Sequence, residues 1–418
     1  MSVLRKLIIP LIGAIVCIWG ISQAYSFGMS SLYAVFARAL AQNDINAGFQ
    51  AADKAIAYCQ SNPEAHLAKA RLLLEQKRYT EVDAEIQEAI KLLPRDYFVW
   101  LELGRARDFA GNDAEALAAF YKAASLAPAY ADVSWQLGNT LLRSGKSAEG
   151  FAELRKAATM NSGLWLSLID LAASLSSNAK QSEDLLKPDT NEAYLAFATY
   201  YAIHNMPTEA LRLFGQAKTV SEIEQTALLN LLFTAKHFNA AYKIWLLGEG
   251  KQFADEGLIV NRDFEFPLNP EEKWFGWNTV KTPNVLVVKT DFETPKSGAS
   301  SLRVDFTGEV PTGSNLVWQY VPVASGTSYK LSFFVRTKEI ISGGLPMINV
   351  VGISGDKREK LASSGAIPSG TISWRKFELA FSVAHNSQAI SIELMRNGCN
   401  ISPCPIFGSL WLDDFSLR

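Results

Sequence analysis

Ile86, Phe120 and Leu154 stand 34 residues apart, as do Ala89, Ala123 and Ala157, and the same step joins Leu103 to Leu137, Gly104 to Gly138 and Pro94 to Pro128. A fixed period of this length constrains the fold more than composition does. Each repeat is one supersecondary unit that cannot bury its apolar face alone, so neighbours must stack into a continuous core. From about residue 29 to 248 the chain is rich in Ala and Leu, with apolar residues recurring every three and four positions, the spacing of one helix face. Small Gly104 and Ala116 let two antiparallel helices approach, Trp100 and Phe120 fill the space between pairs, and Pro128 closes the second helix. About six helix pairs are expected. Later second helices are expected to carry Ala210 with Phe214 and Ala241 with Trp245, and Asn161–Asp189 is expected to hold an irregular pair or insertion.

The central repeat, Trp100-x2-Leu103-Gly104, then Ala116-x3-Phe120-x2-Ala123, then Pro128, resembles the tetratricopeptide repeat (TPR), with Arg107 where that family prefers Tyr. The resemblance implies an α-helical solenoid whose inner surface, lined by the first helix of each pair, takes a protein partner. With Pro63, Tyr97 and Ala131 as equivalent repeat starts, the fifth positions are Leu67, Leu101 and Trp135 and the ninth are Arg71, Arg105 and Asn139. A polar ladder beside an apolar one suits an extended peptide or a carboxylate. It equally describes a solvated face.

Near Glu249 the helical periodicity stops, and short alternating runs rich in Val, Phe, Trp and Thr appear between Gly, Pro, Ser and Asn turns. That pattern predicts an antiparallel β-sandwich over residues 256–418. Its landmarks are Asn261-Arg262-Asp263-Phe264-Glu265, Gly276-Trp277, Ser297-Gly298, Tyr329 to Arg336, Trp374-x2-Phe377 and Leu412-Asp413-Asp414. In this order they resemble the jelly-roll carbohydrate-binding modules that accompany xylanases and cellulases, and the wider galactose-binding-like group. The resemblance implies a structural Ca²⁺ held by Glu265 and Asp413, with Asp263 as a helper and backbone oxygens near Lys296–Ser297. Metal-free, hydrogen-bonded strand-end acids are the alternative. Trp277, Trp374 and Trp411 coincide with framework landmarks and are assigned to the core. If Val321, Val323, Leu331, Phe333 and Val335 face inward, alternation places Trp318, Tyr320, Phe334 and Arg336 outward, as a glycan-binding face on two neighbouring strands. Packing of that face onto the helical region or a loop is the competing reading.

Arg5 and Lys6 precede the apolar run Leu7–Ile21, and no further charge occurs until Arg38. Residues 1–24 therefore read as a membrane anchor, with cleavage after Ser22-Gln23-Ala24 as the alternative. Positive charge ahead of the segment puts the N-terminus in the cytoplasm and the bulk of the chain outside it, as in a single-pass bacterial inner-membrane protein with a periplasmic domain. In that compartment Cys399 and Cys404, two of four cysteines, are expected to form a disulfide.

Lys+Arg 40 against Asp+Glu 42 gives a net charge of -2, which removes the electrostatic case for nucleic acid as a general partner. The four histidines show no Ser/His/Asp or metal-ligand spacing, no phosphate-cradling Gly loop occurs, and Asp413-Asp414 is a weak acid pair for glycoside hydrolysis. The expectation is a multidomain α + β protein: membrane helix, TPR solenoid and jelly roll. It is read as a non-catalytic scaffold with a groove for a protein partner and a jelly roll for a polysaccharide or protein, in exopolysaccharide or cell-envelope assembly. Its rivals are a glycan-processing enzyme or its accessory subunit, and a TPR interaction protein whose β-domain is only structural.

Overall fold

The computed structural model describes residues 2–253, 257–280, 285–399 and 403–418. The chain divides into two compact units, Met1–Ala193 and Tyr194–Arg418. The first unit is helical: α1 (Ser2–Ala41), α2 (Ile45–Tyr58), α3 (Pro63–Glu75), α4 (Tyr79–Leu92), α5 (Tyr97–Phe109), α6 (Asp113–Leu126), α7 (Ala131–Arg143), α8 (Ser147–Met160), α9 (Trp165–Ser174) and α10 (Ala179–Leu186). Helices α3, α5 and α7 begin 34 residues apart, as do α4, α6 and α8, so the sequence period is the period of the helix pairs. Local chemistry sets the starts. Asn62 caps α3 by accepting the Glu64 N–H with Pro63 in the first turn, and Asp96 caps α5 by accepting the Phe98 N–H.

The pairs close because small residues let large ones in. A Cβ at Gly104 would lie 2.4 Å from the Phe120 ring, so the phenyl occupies the space a side chain would need. At Gly138 an added Cβ would meet the Gly150 carbonyl at 2.9 Å, which brings the α7 and α8 backbones together. Trp100 packs partly buried against the clusters on both sides of it, around Leu103 and around Phe120. In the region expected to be irregular, a 3-10 turn (Ser162–Leu164) precedes α9 and α10, which have only 10 and 8 residues.

Helix α1 has 40 residues, on the order of 60 Å at the usual rise. Its segment Leu11–Ala41 is long and apolar enough to cross a membrane. The large apolar side chains from Leu11 to Ile21 are exposed, whereas Ser30, Ala34 and Ala37 are buried. Ser30 Oγ donates to the Ala55 carbonyl (2.7 Å), and Asn62 Nδ2 donates to Ser30 Oγ (2.9 Å). One unbroken helix thus serves as the apolar segment and as the first packed helix of the unit.

Helix α11 (Asn191–Ile203) begins at the division. The second unit continues with α12 (Pro207–Phe214), α13 (Glu222–Thr234) and α14 (Phe238–Trp245). Ten strands follow among the described residues: β1 (Asn278–Thr279), β2 (Leu286–Asp291), β3 (Ser301–Gly308), β4 (Val317–Pro322), β5 (Ser328–Ser342), β6 (Pro346–Ser354), β7 (Lys357–Ser363), β8 (Gly370–Ser382), β9 (Ala389–Arg396) and β10 (Ile406–Leu417). They form two five-stranded antiparallel sheets, ordered β1-β4-β9-β6-β7 and β2-β3-β10-β5-β8. Val317, Val321, Ile392 and Leu394 from the first sheet share one core with Leu302, Val304, Phe333 and Leu412 from the second, which makes the pair a sandwich. The alternation read from sequence holds for β4 and β5, where Val321, Val323, Leu331, Phe333 and Val335 face this core. Trp277 lies in it too, whereas Trp374 is only half-buried and Trp411 is buried on the other side of its strand.

Two predictions follow from the helical unit. Gly104→Ala should lower stability by about 1–3 kcal/mol despite the better helix propensity of Ala, because the Phe120 ring must move; chemical denaturation of the two proteins measures it. His66 Nδ1 lies 2.7 Å from Glu85 Oε2 and its Nε2 lies 3.0 Å from the Gln60 carbonyl, so both ring nitrogens face acceptors and the doubly protonated ring fits best. The Glu85 hydrogen bond raises the ring's pKa above its ordinary value. A raised folded-state pKa means that this stabilisation is complete below the unfolded value of about 6.5 and is lost as pH rises through the folded one. Melting followed by helical circular dichroism should therefore fall between pH 6 and 9 by on the order of 1 kcal/mol more in the unaltered chain than in His66→Gln.

Candidate binding surfaces

On the first helices of the helical unit the expected ladder is present but internally paired. Arg71 Nε donates to Glu102 Oε2 (3.1 Å), Arg105 Nη1 donates to Glu102 Oε1 (2.8 Å), and Arg105 Nη2 donates to Asp132 Oδ2 (2.6 Å). Charges therefore alternate along α3, α5 and α7, with Glu102 buried between two guanidinium groups. Arg71 also lies over the Phe98 ring at 5.4 Å. Leu67 and Leu101 are buried in the pair cores, whereas Trp135 and Asn139 are half-buried, with Asn139 Nδ2 donating to the Trp135 carbonyl (2.9 Å). Glu102 and Asp132 escaped the sequence reading because only equivalent repeat positions were compared. The opposite charges 31 and 27 residues from the two arginines were the available signal.

In the β-sandwich the four aromatic and basic residues expected on one face are on two. β4 belongs to one sheet and β5 to the other, so Trp318 and Tyr320 lie on the outer face of the first and Phe334 and Arg336 on the outer face of the second. Consecutive strands of a sandwich commonly cross between sheets, and sequence proximity does not reveal the crossing. The Tyr320 ring meets Phe233 at 5.4 Å and Phe238 at 5.9 Å, so helices of the same unit cover it. Lys296 Nζ lies over Phe334 at 4.8 Å. Arg336 and Arg303 each lie 5.0 Å from the Trp411 ring, whose Nε1 donates to Asp291 Oδ2 (2.8 Å).

A different set of side chains comes together around Trp318. Strand register places Asn278, Trp318, Glu393 and Asn349 in one row across β1, β4, β9 and β6. With strands about 4.8 Å apart, the row spans roughly 14 Å. Trp318 is half-exposed, and Asn278, Glu393 and Asn349 are buried although they point away from the sandwich core. Arg358 from β7 pairs with the Glu393 carboxylate. Asn349 Nδ2 lies 2.8 Å from Met395 Sδ, and Asn349 Oδ1 and neighbouring Ser391 Oγ have no protein hydrogen-bond partner. An indole face, an amide, and a carboxylate held by a guanidinium are the groups a polyhydroxylated ligand requires.

The two acids implied as calcium ligands act differently. Glu265 Oε1 accepts the Ala299 and Ser300 N–H groups (2.7 and 3.1 Å). Asp413 Oδ2 accepts those of Lys296 and Ser297 (2.8 and 3.2 Å), while its Oδ1 accepts that of Asp414 (2.7 Å). Gly298, at φ +62, is required because a Cβ there would strike Glu265 Oε1 at 2.1 Å. Burial pushes the Asp413 carboxyl up to about 6, against the pull of its N–H donors. The resemblance implied backbone oxygens near Lys296–Ser297, but both residues direct N–H groups at the carboxylate. Asp263 is half-buried, and among the described residues no group of three His, Cys, Asp or Glu side chains is placed to hold a metal. An ion shared by these two carboxylates would have to displace the N–H donors they now hold, since Ca²⁺ takes six to eight oxygens. Cys399 and Cys404 are joined by a disulfide.

No family model and no curated protein matches the chain. Similar solved structures include PilF of Pseudomonas aeruginosa, 16% identical over 55% of this chain and 95% of that one, with a TM-score of 0.32. YrrB, described as a TPR protein with an unusual peptide-binding site, is 15% identical over 50% of this chain and 89% of that one, with a TM-score of 0.28. A CBM4 structure is 11% identical over 38% of this chain and 98% of that one, with a TM-score of 0.28. The helix pairs and sheets themselves carry the fold assignment: helix pairs of 34-residue period, as in TPR proteins, followed in sequence by an antiparallel two-sheet sandwich.

If the acids clasp amides and hold no metal, the melting curve of the full chain should be the same with calcium and with a chelator. Asp413→Asn should lower stability by about 1–3 kcal/mol, since an amide NH₂ then faces a backbone donor, and Asp414→Asn should lower it less. Differential scanning calorimetry of the three proteins measures both effects.

Proposed function

We propose that this chain is a non-catalytic scaffold tethered to a bacterial inner membrane, with its bulk in the periplasm, and that it brings a protein partner and a glycan together in exopolysaccharide or cell-envelope assembly. Helix α1 supplies the tether, and the Cys399–Cys404 disulfide suits an oxidising compartment. The α3, α5 and α7 ladder offers an alternating charged surface to an extended partner. The observation that carries the glycan half is the in-register row of Asn278, Trp318, Glu393 and Asn349. A pyranose stacks its C–H face on the half-exposed Trp318, and its hydroxyls bond to the exposed Arg358 guanidinium, which buried Glu393 holds in place. Phe334 and Arg336 take no part in this reading because they lie on the opposite sheet.

The test is a glycan array probed with the chain solubilised in detergent, followed by calorimetric titration of the best oligosaccharide. Trp318→Ala should weaken that oligosaccharide at least about tenfold, on the order of 1.4 kcal/mol, with an unchanged melting temperature, while Phe334→Ala leaves affinity unaltered. An array without binders, or equal affinity in Trp318→Ala, would sink the glycan assignment.

A further inference from the structure

Arg396, on β9, is 2% exposed, and no carboxylate pairs with it among the described residues. Its Nε donates to the Gly344 carbonyl (3.1 Å) and its Nη1 to that of Val310. Nη2 reaches Ser342 Oγ (2.9 Å), the Cys404 carbonyl (2.9 Å) and Cys404 Sγ (3.2 Å). A guanidinium stays charged in proteins, and a buried one without an anion retains an unmet electrostatic demand. One group within its reach can become an anion. When the Cys399–Cys404 bond opens, Cys404 can carry negative charge beside Arg396, whereas the contacts made by Arg396 include none with Cys399.

The surroundings leave the sulfurs approachable. Both cysteines are half-buried and border an opening of about 430 Å³ whose walls include Ile341, Phe407, Pro403 and Pro405. Ile341 and Phe407 are cross-strand partners with 69% and 47% exposure, which gives an incoming segment an apolar rim. Gly343 and Gly344 lie against the sulfurs, where an added Cβ would come within 3.2 Å and 3.0 Å of Cys399 Sγ, so neither residue places a side chain over them.

We propose that this disulfide exchanges with external thiols in a fixed direction: an incoming thiolate attacks Cys399 Sγ, and Cys404 leaves as a thiolate paired with Arg396. The new bond joins the incoming sulfur to Cys399, and the electron pair of the broken S–S bond stays on Cys404. A low-pKa leaving thiol departs faster, which is why the guanidinium sets the direction. If the partner carries a second thiol, that thiol attacks its own sulfur in the mixed disulfide and Cys399 is released. The partner dithiol is then oxidised to a disulfide, this chain holds Cys399 as a thiol and Cys404 as a thiolate, and one proton passes to solvent. The ligand class is therefore a peptide or small-molecule thiol.

Glutathione serves as the probe on the full chain in detergent. Quenching with N-ethylmaleimide and peptide mass mapping should find the glutathione adduct on Cys399 and the maleimide on Cys404; the reverse distribution overturns the proposal. In the reduced chain, iodoacetamide labelling of Cys404 against pH should show a midpoint at least about one unit below the ordinary thiol value of about 8.5. A midpoint at or above that value marks the bond as an undirected staple. Arg396→Gln should raise the midpoint and even out the adducts, while Arg396→Lys retains most of the bias. Should either variant fail to fold, the two measurements on the unaltered chain decide alone.

Discussion

The β-sandwich depends on β10, which lies at the centre of its sheet between β3 and β5. Leu412 pairs with Leu302 on one side and Val335 on the other, so this sheet is joined only when its latest strand in sequence enters between two earlier ones. Contacts of such sequence separation form late and slowly. The same strand fixes much of the chemistry around it. Leu410, Leu412 and Phe415 enter the core, Trp411 is covered by two guanidinium groups, and Asp413 grips the amides of Lys296 and Ser297. A slip of one residue would turn Trp411 and Asp413 inward and the leucines outward. The irregularity between Asp413 and Ser416, with Asp414 at φ 57, changes the register locally so that Phe415 still reaches the core.

The helical unit obeys a more local constraint, since its apolar clusters join helices that are neighbours in sequence. Gly104 under Phe120 and Gly138 against Gly150 are contacts between consecutive helices, and charge-paired side chains connect one pair to the next. Backbone proximity sets the stacking distance, and the Arg71–Glu102–Arg105–Asp132 chain sets which groups an incoming partner meets. Such a surface is neither a cationic groove nor an acidic one. On the proposed reading, a partner would be matched by alternating charge, a source of specificity more than of raw affinity.

Periodicity was legible in the sequence because it repeats: the starts of α3, α5 and α7 at Pro63, Tyr97 and Ala131 coincide with the repeat starts. Strand parity was legible for the same reason, and Val321, Leu331, Phe333 and Val335 all face the core. Pairing between distant segments was not legible. The assignment of β4 and β5 to opposite sheets separates Tyr320 from Phe334, and no local pattern encodes it. Trp374 matched a framework landmark yet is only half-buried, because a landmark carries a residue type and not its neighbours. The amide donors facing Glu265 and Asp413 were hidden in backbone direction over Lys296–Ser300, which residue types do not report.

The row around Trp318 raises a question of energy. Where α13 and α14 cover this outer face, contact is aromatic: Phe233 and Phe238 lie on Tyr320. An entire face meant for such packing would be apolar, yet its neighbours Ser391, Glu393 and Asn349 are polar and buried. Glu393 is compensated by Arg358, but Ser391 Oγ and Asn349 Oδ1 have no protein partner. A buried polar group left unmet is worth about 1–3 kcal/mol against folding, and apolar residues of similar shape would remove that penalty. Polar groups held at such a cost beside a half-exposed indole make sense when something outside the fold supplies the missing hydrogen bonds.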